Sequence, residues 1–95
     1  MKIKYAPKFS KDVDNIINFI ALDGVERALG FYNDLMAEIQ KVGYMPYSFR
    51  KNLILLHDES VRDLIFKGYV IPFRIDEKNQ TIKILSIFKR NMPNF

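Results

Sequence analysis

The 95-residue sequence has no cysteine, no tryptophan and a single histidine, with only four glycines and four prolines. Without thiols neither a disulfide framework nor a thiolate metal site can be built. Long hydrophobic runs are missing too, since none approaches the roughly 20 apolar residues of a membrane-spanning helix. The opening stretch MKIKYAPKFSKDVD sets charges where an export signal requires its apolar segment. The expected location is therefore the cytoplasm, with no membrane partner.

What is present is a chain that is 48% hydrophobic with thirteen aromatic residues, which argues against disorder. Its length suits one domain over residues 1–95, burying roughly two thirds of the unfolded surface. Charge is unevenly placed. Residues 1–48 carry six Lys/Arg against six Asp/Glu, whereas residues 49–95 carry nine against five, so the whole net charge of +4 lies in the second half. Such asymmetry favours an anionic partner, nucleic acid or an acidic protein segment.

Periodicity gives the elements. Ile3 and Tyr5 alternate with Lys2 and Lys4 as in a short strand, which Pro7 ends. Ser10 offers an N-cap, and Val13, Ile16, Ile17 and Ile20 follow at helical spacing. Asp23 and Glu26 have capping-box spacing for a second helix. Its stripe of Val25, Ala28, Leu29, Tyr32, Leu35, Met36, Ile39 and Val42 runs to Gly43, a candidate C′ glycine. After Pro46, Leu53–Leu56, Val61–Phe66, Tyr69–Ile75 and Thr81–Phe88 read as strands joined by turns at Lys67-Gly68 and Asp76–Gln80. Within Tyr69–Ile75 the odd-numbered residues point to the core, and Pro72 implies an edge or a bulge. The predicted fold is α+β, β-α-α-β-β-β with room for one further short strand, a helical hairpin on one face of a curved, mainly antiparallel sheet.

The N-terminal strand, the segment ERALGFYNDLMAEIQKVGYMP, then VRDLIFKGYVIPFRID and TIKILSIFKR together resemble the RelE/ParE toxins of bacterial type II toxin–antitoxin systems. That resemblance implies growth inhibition, plasmid stabilisation and a cognate antitoxin whose C-terminal segment wraps the toxin. It also implies one of two activities. RelE-like members cut messenger RNA on the ribosome, and ParE-like members inhibit DNA gyrase without a known hydrolytic site. The resemblance carries no cofactor, and leaves open a homodimer or a toxin–antitoxin hetero-oligomer.

Against the RelE pattern, Gly68-Tyr69 matches a pair that precedes a catalytic arginine, yet Val70 follows here. Val61 and Asp63 stand where two lysines are expected, and Asp63 would repel a phosphate. Arg90 matches a basic residue of the last strand and would be catalytic in a RelE-like enzyme. Phe95 replaces a terminal aromatic that bears a hydroxyl. The ParE-like branch is therefore favoured, with Arg62, Arg74, Lys89 and Arg90 as candidate residues for binding target or antitoxin, and with the catalytic residues otherwise unknown. His57, in LLHDES, has no second ligand or fixed base beside it and reads as an ordinary side chain, so no metal is expected. Tyr32, Tyr44, Tyr47 and Phe49 read as packing aromatics rather than a base-stacking platform.

Overall fold

The computed structural model describes residues 1–52, 54–55 and 57–90. Its elements are β1 (Lys2–Tyr5), α1 (Pro7–Ala21), α2 (Val25–Val42), a 3₁₀ turn (Pro46–Ser48), β2 (Arg50–Lys51), β3 (Val61–Phe66), β4 (Tyr69–Asp76), β5 (Thr81–Ile84) and β6 (Phe88–Lys89). This is the predicted β-α-α-β-β-β order, with short strands added. The sheet runs β1-β5-β4-β3-β2, and β6 pairs with β4 beyond the end of β5. Among the described residues only the β1–β5 pairing is parallel.

One face of the sheet is covered by the helical hairpin. Phe9 and Val13 from α1, and Leu35, Ile39 and Val42 from α2, meet Leu64, Phe66, Ile71, Phe73, Ile75, Ile82 and Ile84 from the strands. These side chains recur every three or four residues on the helices and every two on the strands, so each element presents one apolar face to the same core. Tyr69 completes the odd-numbered row of β4, packing edge-on against Phe31 of α2 with ring centroids 5.5 Å apart.

Several local boundaries differ from the sequence expectation. Helix α1 starts at Pro7, not beyond Ser10; Ala6 is the extended cap residue and its carbonyl accepts from the Ser10 N–H at 3.2 Å. Proline at the first helical position has no N–H to leave unpaired and its φ already suits a helix, so Pro7 opens the helix rather than merely closing the strand. No capping box forms at α2. Gly24 is its cap residue, and Asp23 pairs with Arg27 one turn on. Gly43 is not left-handed, with φ −62°; glycine suits it because an added Cβ would lie 3.1 Å from the Met1 carbonyl oxygen. The Lys67-Gly68 turn has both residues at positive φ, 48° and 84°, the geometry of the tight hairpin whose twist matches its flanking strands.

Of the strand expected at Leu53–Leu56, residues 53 and 56 lie outside the described residues, while Ile54 and Leu55 are not in a strand. The pairing comes earlier, at Arg50–Lys51 against Arg62 and Asp63. The Asn52 side-chain oxygen turns the chain away from the sheet by accepting from the backbone N–H groups of Ile54 and Leu55, at 3.0 and 2.9 Å.

The run Thr81–Phe88 divides into β5 and β6 at Leu85–Ile87. Pro72 lies opposite this break, and its carbonyl oxygen accepts from the Leu85 N–H at 2.9 Å. A strand residue directs its N and its C=O to the same side, so the donor that proline lacks faces the interruption. Pro72 thus occupies a central strand because the neighbouring strand is broken there, the irregularity its presence predicted.

Candidate functional site

Strand register separates the charged residues between two faces. Cross-strand partners share a face. Arg62 is opposite Phe73 and Lys89 is opposite Tyr69, so both belong to the helix side. Arg62 is spent on structure: its Nε donates to the Glu59 carbonyl at 3.0 Å and its Nη1 to the carbonyls of Tyr47 and Phe49 at 3.3 and 3.2 Å. Its guanidinium also lies 5.2 Å from the centre of the Tyr47 ring. Lys89 borders a groove of about 410 Å³ along α1, with Lys8, Asp12, Asn15 and Phe19.

The other face of the sheet holds Arg74, opposite Lys83, with its Nη2 3.7 Å from the Asp58 carboxylate. On the same face, nearer the start of β4, a cleft of about 290 Å³ is lined by Arg50, Asn52, Ile54, Asp63, Val70, Phe88 and Arg90. Of the four cations singled out in the sequence, Arg90 alone reaches it. Its backbone N–H donates to the Gly68 carbonyl at 2.8 Å, which prolongs the β6 pairing and fixes the entry of its side chain.

The floor of the cleft is a polar network. Asp63 is only 3% exposed. Its Oδ1 accepts from Asn52 Nδ2 at 2.8 Å, and its Oδ2 lies 3.2 Å from Arg50 Nη2. Arg50 Nε is buried with no acceptor among the described residues. Arg90 forms no ion pair among the described residues and is exposed. Ile54, Val70 and Phe88 supply apolar walls.

Arg50 carried no signal that the sequence reading used. It meets Asp63 because β2 pairs with β3 across a loop whose length hides the register. Three of the positions compared with the RelE pattern, Asp63, Val70 and Arg90, do meet in this one cleft. Two of them are a buried carboxylate and a valine. Phe95 lies outside the described residues. His57 is exposed in the loop after β2, and the described residues contain no group of three His, Cys, Asp or Glu able to hold a metal ion.

Carboxylates gather at the end of the sheet where β3 begins and β4 ends. The Ser60 hydroxyl and N–H lower the pKa of Asp58, the Lys51 ammonium lowers that of Glu59, and the Asn79 side chain and N–H lower that of Asp76. The Glu77 carboxylate raises the pKa of the Tyr47 hydroxyl. The arrangement can bind a small anionic or mixed apolar group in the cleft. Among the described residues its lining contains no imidazole, lysine or phenol.

No curated protein matches the sequence at a significant level. The fold is similar to a chromosomal ParDE toxin–antitoxin system from P. aeruginosa, with TM-score 0.79 and 23% identity over 94% of this chain and 95% of that one. It is less similar to the RelBE2 toxin–antitoxin complex from Mycobacterium tuberculosis, with TM-score 0.53 and 21% identity over 94% and 96% of the two chains. At these identities the likeness carries the fold. Family membership rests on sequence: the model for the ParE toxin of type II toxin–antitoxin systems, parDE, matches residues 3–93, and the chain belongs to that family.

Proposed function

We propose that this chain is the toxin of a type II toxin–antitoxin pair that arrests growth by binding a cellular target such as DNA gyrase, and that a cognate antitoxin neutralises it. The observation that carries the binding mode is the cleft. Where a RelE-like nuclease would need cations around a scissile phosphate, the floor is Asp63 and Val70. Asp63 is engaged by Arg50 and Asn52, so its oxygens are taken up by the fold. The known partners of the ParDE and RelBE2 systems support the antitoxin part of this reading.

The test is supercoiling by purified gyrase. Folded toxin at micromolar concentration reduces it, and addition of the antitoxin encoded beside the toxin gene restores it. Unchanged supercoiling would remove gyrase as the target.

Arg90 favours a second reading, a ribosome-dependent endoribonuclease, because it retains one cation in the cleft. On that reading Arg90→Ala abolishes codon-phased cuts in translating messages. On the binding reading there are no such cuts to abolish.

A further inference from the structure

We propose that the cleft on the open face is a docking pocket for a carboxylate carried on an apolar polypeptide segment of a partner protein, held by Arg90 and Arg50. This deepens the reading of the cleft as a binding site and depends on it.

The first ground is charge. Two guanidinium groups and one carboxylate line the cleft, leaving one positive charge in excess. Asp63 takes up one edge of Arg50 at 3.2 Å and holds that side chain in place, while Arg90 has no carboxylate partner among the described residues. One incoming carboxylate therefore balances the site, and a guanidinium can grip it through two parallel hydrogen bonds.

The second ground is the walls. Val70 is buried, Phe88 half-buried and Ile54 exposed at 74%, so an apolar side chain entering beside the carboxylate would cover surface that water now touches. The third ground separates a polypeptide from a nucleic acid. A phosphate chain brings a charge with every nucleotide, and inside the cleft a second phosphate beside the one on Arg90 would meet buried Asp63. A peptide can place a single carboxylate in the cleft and bring apolar groups elsewhere.

The same geometry assigns Asn52 and Asp63 a positioning part. Asn52 fastens the loop bearing Ile54 by accepting from the Ile54 and Leu55 N–H groups, and donates to Asp63, which in turn orients Arg50. The pocket is thus preorganised by groups the occupant need not touch.

The experiment is a titration of the isotopically labelled chain, followed by NMR, with an acetylated Leu-Glu-Leu-Glu amide at millimolar concentration. Its Leu-Gln-Leu-Gln counterpart and an oligouridylate are parallel arms. The proposal expects the Glu peptide to shift the Arg50 and Arg90 side-chain N–H resonances and the Val70 methyls. It expects the Gln peptide to bind about tenfold or more weakly. Arg90→Gln weakens the Glu peptide to a similar degree, and Arg50→Lys, which keeps the charge opposite Asp63, guards against loss of fold. Lys67→Gln, whose ammonium faces Asp34 of α2 at 3.1 Å on the helix side of the sheet, leaves binding unchanged.

Equal binding of the two peptides, shifts confined to other surfaces, or no shifts at all would each overturn the proposal. Shifts of the same resonances by the oligonucleotide alone would assign the cleft to nucleic acid and overturn it too. The readout needs no gyrase, so a failed supercoiling assay and a failed titration are separate results.

Discussion

Asp63 shows most clearly how one side chain decides what a surface can do. A carboxylate this buried is tolerated because Arg50 and Asn52 satisfy both its oxygens. Removing the charge while keeping the shape should leave Arg50 short of its partner. Asp63→Asn is expected to cost about 1–3 kcal/mol in urea denaturation, the usual range for leaving a buried polar group without its partner. Asp58 gives a pH dependence. Ser60 donates to it from both its N–H and its hydroxyl, holding its pKa below the ordinary aspartate value of 3.8. A depressed folded pKa stabilises the fold at pH values above the unfolded pKa, and that gain is lost as pH falls through the folded value. Melting temperature should therefore fall more steeply in acid for the wild type than for Asp58→Asn, the difference closing below pH ~3.8. Parallel curves through that window would show that Asp58 is not linked to stability.

At the scale of elements, β4 is the centre of the molecule. It pairs with β3 along six residues and with β5 and β6 on its other edge. Its interior row, Ile71, Phe73 and Ile75, is packed under α2, so Phe73→Ala or Leu35→Ala should cost about 3–5 kcal/mol by denaturation. A cost under about 1 kcal/mol would mean the hairpin does not sit on this core. On the opposite face Lys4, Lys83 and Arg74 stand side by side on β1, β5 and β4. Like charges facing one another across strands are unfavourable. Lys83→Thr should raise stability by a few tenths of a kcal/mol up to about 1, and the gain should shrink in high salt. No gain at low salt would mean the three charges are already screened apart.

The same strands show what the sequence could and could not reveal. The helices and the strands β3 and β4 were readable because each repeats apolar residues at its own period. The start of α1 was misplaced because proline both ends strands and opens helices, and the tertiary context decides between them. The break between β5 and β6 could not be read from its own residues; it was announced only by Pro72 on the neighbouring strand. The cleft was half legible. Asp63, Val70 and Arg90 were singled out by position, but Arg50 joins them only through the β2–β3 register, and Arg62 and Lys89 leave them because side chains alternate faces along a strand.

The whole molecule is a ParE-family chain whose helical hairpin covers one side of the sheet while a cationic, apolar-walled cleft opens on the other. The account rests on that cleft gripping a partner instead of cutting RNA. The most direct measurement is to map messenger RNA ends on translating ribosomes exposed to the purified wild-type protein. The binding account predicts no codon-phased cuts at concentrations that inhibit the target. Codon-phased cuts that disappear with Arg90→Ala would contradict it and restore the nuclease reading.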